Sequence, residues 1–256
     1  MDINRLIDGF LGSGGGQQTA SGQQQGSGLA GAMSGFPGGL AGGAAAGGIV
    51  ALMLGSKKAR KIGGKALTYG GMAAVGGLAY KAYSDYRKNQ QTQQASPAPQ
   101  QQAAPVRSAP PPPIQQIPPA PADSGFDPAQ LQDQSGNDLR LGLIQAMISA
   151  AKADGHIDAA ENDNIRTQIE ATNLAADEKG FLFDQLAAAS DPIAIANLAK
   201  DETQASELFL VSALTIDIDT PEEGRYMERL GDALRLPEAL RQELLGHAEA
   251  AKAGAV

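Results

Sequence analysis

Residues 150–161, AAKADGHIDAAE, decide how this chain is read. An apolar helical pattern runs up to them, stops at Asp154-Gly155, and a new helix is expected from Asp158. The stop has a chemical cause, because glycine takes the left-handed conformation that closes a helix. The restart has one too, since Asp158 and Glu161 have the spacing of an N-cap and its N3 carboxylate. An echo follows at an offset of 61 residues, where Asp217-Ile218-Asp219-Thr220-Pro221-Glu222 repeats the pattern of 156–161. There, Asp219 with Glu222 or Thr220 with Glu223 fits a capping box, and Pro221 sits where a helix tolerates a missing N–H.

Working outward, apolar residues recur at three- and four-residue intervals from Asp138 onward (Leu139, Leu143, Ile144, Met147, Ile148, Ala151), the period of a helix. Further helices are expected over 158–172, 175–189, 192–199, 203–216, 221–234 and 237–251, with Asp, Gly and Pro marking the breaks. Residues 208–216 are apolar almost all round, which suits a central helix surrounded by others. The only ambiguous strand is 215–218. Seven helices in about 120 residues predict an all-α bundle of single-domain size.

The acidic turns carry the one chemical motif. Capping accounts for most of their carboxylates. The functional reading places both turns across a pseudo-twofold axis, holding a hard divalent cation, calcium or magnesium. Neither turn has the twelve-residue spacing of an EF-hand. His156 would suit a softer metal, and His247 is expected to face solvent.

Catalysis finds little support. The chain has no cysteine and only two histidines, 91 residues apart. Glycine clusters such as 12–16 follow no predicted strand, so they are not phosphate loops. A base at Asp158 or Glu161 is the remaining catalytic alternative, and a non-enzymatic protein is expected.

Charge is divided between the halves. Residues 1–122 hold 10 Lys+Arg against 3 Asp+Glu, and residues 123–256 hold 10 against 25, giving +7 and −15. An acidic domain of this kind repels nucleic acid and attracts cations or basic proteins.

The N-terminal half divides by composition. Residues 1–27 form a short amphipathic start and a Gly/Ser/Gln-rich stretch expected to be flexible, without the pattern of a secretory signal. Residues 28–88 are expected to associate with a membrane, using lipid contacts through 38–80. Within them, 38–55 is an uncharged small-residue run before Lys57, Lys58, Arg60 and Lys61. It is close to the roughly 20 residues that a span needs. Gly39, Gly43 and Gly47 align a face on which another helix, including that of a second copy, could pack closely. The uncharged run 66–80 is shorter and reads as half of a hairpin or as an interfacial helix. Residues 89–125, with ten prolines between 97 and 121, read as a disordered Pro/Gln linker to the helical domain at 126–256.

The run LIQAMISAAKADGHIDAAE (143–161), the helices after it and the second acidic turn resemble the TerB-like fold named for tellurite-resistance proteins, specifically the YebE-like family of predicted bacterial inner membrane proteins. The Gly-rich segment followed by KKARK (57–61) is similar to that family's N-terminal part. The resemblance implies an internally duplicated all-helical domain, an inner-membrane location, and metal-binding acidic residues. By position, Asp154, Asp158 and Glu161 match the first acidic motif, and Asp217, Asp219 and Glu222 form the second. The second departs from the pattern, with Thr215-Ile216 where Asp154-Gly155 stands.

The expectation is therefore a tethered interaction module with its acidic domain in the cytoplasm, binding a divalent cation, a basic protein, or both, with envelope or chemical stress as its setting. The rival from another class is a Gly-zipper oligomer, pore or scaffold, regulated by the acidic domain.

Overall fold

The computed structural model describes residues 1–11, 49, 71–94, 119–155 and 159–253. Among these the chain is all-helical, with one isolated β-bridge between Gln132 and Asp138. The helices are α1 (Ile3–Leu11), α2 (Gly71–Gln94), α3 (Leu139–Ala151), α4 (Ala159–Ala171), α5 (Ala176–Ala187), α6 (Pro192–Ala196), α7 (Glu202–Thr215), α8 (Pro221–Ala233) and α9 (Glu238–Ala253). A single 3-10 turn, Pro128–Gln130, precedes α3.

The seven expected helices appear as α3 to α9. Their starts are fixed by side chains: Asp138, Asp191 and Asp201 each accept a backbone N–H at the head of α3, α6 and α7. α6 stops at Ala196, three residues short of expectation: Asn197 is its C-cap, and Leu198 and Ala199 donate to carbonyls three residues back, not four. The stretch 215–218 is a helix end and loop, not a strand. α7 is the central helix, with every residue from Gln204 to Thr215 buried. It packs against α2, α3, α8 and α9.

The structure bears on two boundaries drawn from composition. α1 is ordered and docked: Leu6 and Phe10 are fully buried, Gly9 lies against Leu174, and Glu178 on α5 accepts the Asp2 N–H at 2.8 Å. α2 extends from the uncharged run to Gln94, six residues into the stretch expected to be linker, and packs on α7 and α9. Its Met72, Val75, Leu78, Ala79, Ala82 and Tyr86, the side chains that a lipid-facing reading needs exposed, are buried in the common core. The small residues that suggest close helix approach do permit it, inside this chain. A Cβ on Gly76 would stand 2.1 Å from the Phe126 carbonyl oxygen. Phe126 also stacks edge-on against Tyr80 at 5.8 Å and tilts against Tyr83 at 5.6 Å.

The rest of the run 38–55 lies outside the described residues except Ile49, which is buried in the same core. Most of the Pro/Gln stretch, 95–118, also lies outside them. No helix among the described residues is long and apolar enough to cross a membrane.

Candidate functional site

The direction of the helices decides where the acidic turns go. Gly142, near the start of α3, faces Leu208 in the middle of α7. Ser149 and Ser212, near the ends of the same two helices, both face the hydroxyl of Tyr226 on α8. α3 and α7 therefore run side by side in one direction, and their C-termini, each followed by an acidic turn, leave from the same end of the bundle.

α5 ends there as well. Lys152, the residue that caps α3, donates its ammonium to the carbonyls of Gln185 (3.4 Å), Leu186 (2.6 Å) and Ala188 at the terminus of α5. Terminal carbonyls have no partner within their own helix and carry the negative end of its dipole, so a lysine is well placed there. Burial lowers the pKa of this lysine.

In the first turn, Gly155 takes the expected left-handed conformation, φ 71°, and donates its N–H to the Lys152 carbonyl. Asp154 lies in this turn. His156, Asp158 and the side chain of Glu161 lie outside the described residues.

The second turn is described throughout. Of the two capping boxes the sequence allows, the structure forms the one between Thr220 and Glu223. The Glu223 carboxylate accepts the N–H of Thr220 at 3.1 Å and of Asp219 at 3.2 Å, while Thr220 Oγ1 accepts the Glu223 N–H. Pro221 follows the cap at the start of α8. The expected ligands point to different partners. Asp217 faces the Lys252 ammonium at 3.5 Å, and Glu222 pairs with Arg225 at 2.8 Å on the exposed face of α8.

Lys252 is nearly buried and also binds the Ile216 carbonyl at 2.6 Å and Glu249 at 2.8 Å. It brings a positive charge into the second turn beside Asp217. Asp217 and Glu222 are thus each engaged by a different cation, whereas a hard divalent ion needs several oxygens converging on one point. No cluster of three or more His, Asp or Glu suited to a metal occurs among the described residues.

Two features escaped the reading of the sequence. His247, expected to face solvent, is only 14% exposed, and its Nε2 lies 3.3 Å from Asp85 on α2. The docking of α2 covers it, and that docking is not visible in the periodicity of α9.

The second feature is Glu207, embedded in α7. It is fully buried and neither carboxyl oxygen has a hydrogen-bond partner. Burial, with smaller contributions from Asp201 and Asp127, pushes its pKa up to about 8. Glu178, equally buried, shows the contrast: its two oxygens accept the N–H groups of Asp2 and Ala175. The signal for Glu207 was present in the sequence, as an acid immediately before the run 208–216, which is apolar almost all round. The Tyr226 hydroxyl is also buried; it faces the two serines without a hydrogen bond of ordinary geometry, and burial raises its pKa.

The family described as "Protein of unknown function (DUF533)" matches residues 39–248. A Yersinia enterocolitica protein described as "Uncharacterized protein in ampR 5'region" is 29% identical over 99 residues, 39% of this chain and 71% of that protein. No solved structure matches. The family match takes in both α2 and the bundle it packs against, and over that span the chain belongs to the DUF533 family.

Proposed function

We propose that the chain is a non-enzymatic interaction module whose acidic bundle receives a cationic partner at the end where α3, α5 and α7 terminate. The observation that carries this reading is the gathering of three helix C-termini and two acidic turns at that end. Partial negative charge from the helix dipoles adds there to formal carboxylate charge, and the field attracts cations from solution. Lys152 and Lys252 already serve as cationic occupants, one on carbonyls and one on a carboxylate and a carbonyl. A basic protein segment offers the same ammonium and guanidinium groups.

At a finer level, the reading places the bundle among TerB-like domains and the chain among YebE-like proteins. The uncharged Gly-rich run is assigned to the face of the bacterial inner membrane, compatible with the burial of its Ile49 in the bundle's core, and the bundle lies on the cytoplasmic side. Calcium or magnesium is assigned to the first turn, with Asp154, Asp158 and Glu161 as its carboxylates. The second turn, where the Glu222 and Glu249 carboxylates stay exposed beside Lys252, is assigned to the basic partner.

Calorimetric titration of calcium, then magnesium, into the full chain at low ionic strength tests this division. The expected result is saturable binding that Asp158→Asn abolishes and Asp217→Asn leaves intact. Absence of saturable binding removes the ion from the reading. Recovery of the full-length chain entirely in the soluble fraction removes the membrane assignment.

A further inference from the structure

Glu207 is the one buried acid among the described residues whose carboxyl oxygens are both unpartnered. Its position is informative. Thr203, one helical turn earlier on α7, reaches within 3.8 Å of the place a Cβ would occupy on Gly125. The segment after Gly125 is pinned to α2, where the Phe126 carbonyl occupies the space over Gly76 and the Phe126 ring meets Tyr80 and Tyr83. α2 itself packs on α7 and α9. The carboxyl thus lies beneath a joint where two parts of the chain, α2 and the segment 125–132, close over the central helix α7.

A closed joint offers this carboxyl no donor and no water-filled surface. A neutral acid tolerates such a place far better than an ion does, so the joint must either keep the proton on or admit water. We propose that Glu207 is a proton-binding site that couples closure of the α2 cover to pH, with one proton taken up when the cover closes and released when it opens.

The charged groups around it reinforce the proton. Asp201, which caps α7, and Asp127, which caps the 3-10 turn, both act on Glu207 and both are negative. Arg140 on α3, the cation that Asp127 also acts on, is committed through two hydrogen bonds to Asp138 and a third to Asn4. On the other side of α2, His247 faces Asp85.

The sign follows from comparing the two states. A carboxyl whose value is about 8 when covered and the ordinary 4.5 when open binds more protons in the closed state between those limits. Closure is therefore strongest below about pH 4.5, weakens by up to tenfold in its equilibrium constant per pH unit between the two values, and levels off above about pH 8.

Amide hydrogen exchange on the full chain, with rates divided by their intrinsic hydroxide-catalysed values, reads the opening directly. The expected result is an opening constant for the amides of α2 that rises by up to tenfold per pH unit between about pH 5.5 and 8. Glu207→Gln is expected to flatten this dependence, because the amide does not titrate, and His247→Gln is expected to retain it. Amides of α8 serve as the internal reference, and an equal rise there means global unfolding and overturns a local cover. A flat response in the parent chain, or an unchanged slope in Glu207→Gln, also overturns the proposal. Should Glu207→Gln fail to fold, infrared spectroscopy of the parent chain decides: a protonated-carboxyl band that persists at neutral pH and disappears with a midpoint near 8 supports the site, and no such band at pH 6 overturns it.

Discussion

Gly76 shows how one residue can fix an interface. With no side chain, it lets the Phe126 carbonyl pass where a Cβ would collide at 2.1 Å, and the obstacle is backbone, which cannot swing aside. Gly76→Ala is expected to destabilise the fold by about 1–3 kcal/mol, the usual cost of overpacking, as measured by urea unfolding. At Gly231 the nearest obstacle is the end of the Arg241 side chain, which can move, so that site is less demanding. The legibility of single residues divides along similar lines. Gly155 was readable because a left-handed stop depends only on local chain chemistry, and Pro221 was readable for the same reason. Which capping box forms at the second turn was not, because the choice depends on where the Asp219 and Thr220 N–H groups point once α7 has ended. The partner of His247 was invisible, because Asp85 is 162 positions away in the chain and nothing local links them.

At the scale of elements, the helices α3 to α9 were legible from apolar period and punctuation, since each buries a face that repeats with the helical turn. The placement of α2 was not legible, because a Gly- and Ala-rich helix carries the same pattern whether lipid or protein covers it. In the structure Val75, Leu78, Ala79 and Ala82 are all buried against the bundle. Leu78→Ala is accordingly expected to cost roughly 2–5 kcal/mol, the range for a buried leucine. For a chain of this size that lowers the thermal midpoint by roughly 5–15 °C, readable by circular dichroism. The candidate site has the same mixture of legible and illegible parts. Both acidic turns were found by sequence, but their convergence at one end of the bundle depends on α3 and α7 running parallel, which no local pattern encodes. The occupation of the second turn by Lys252 depends on where α9 returns, 35 residues after Asp217.

At the scale of the molecule, the N-terminal half supplies walls to the acidic bundle as well as a sequence of opposite charge. α1 and α2 bury Leu6, Phe10, Met72, Val75, Leu78 and Tyr86 in the common core. This joint explains the demand for glycine at position 76, the burial of Glu207 and the contact of His247 with Asp85. The most direct test is urea unfolding of the full chain beside the same chain begun at residue 119. The account predicts that the shorter chain unfolds at a much lower urea concentration with a smaller dependence on denaturant, or does not fold. Superimposable unfolding curves would contradict it, because α1 and α2 would then be passengers on a bundle that stands without them.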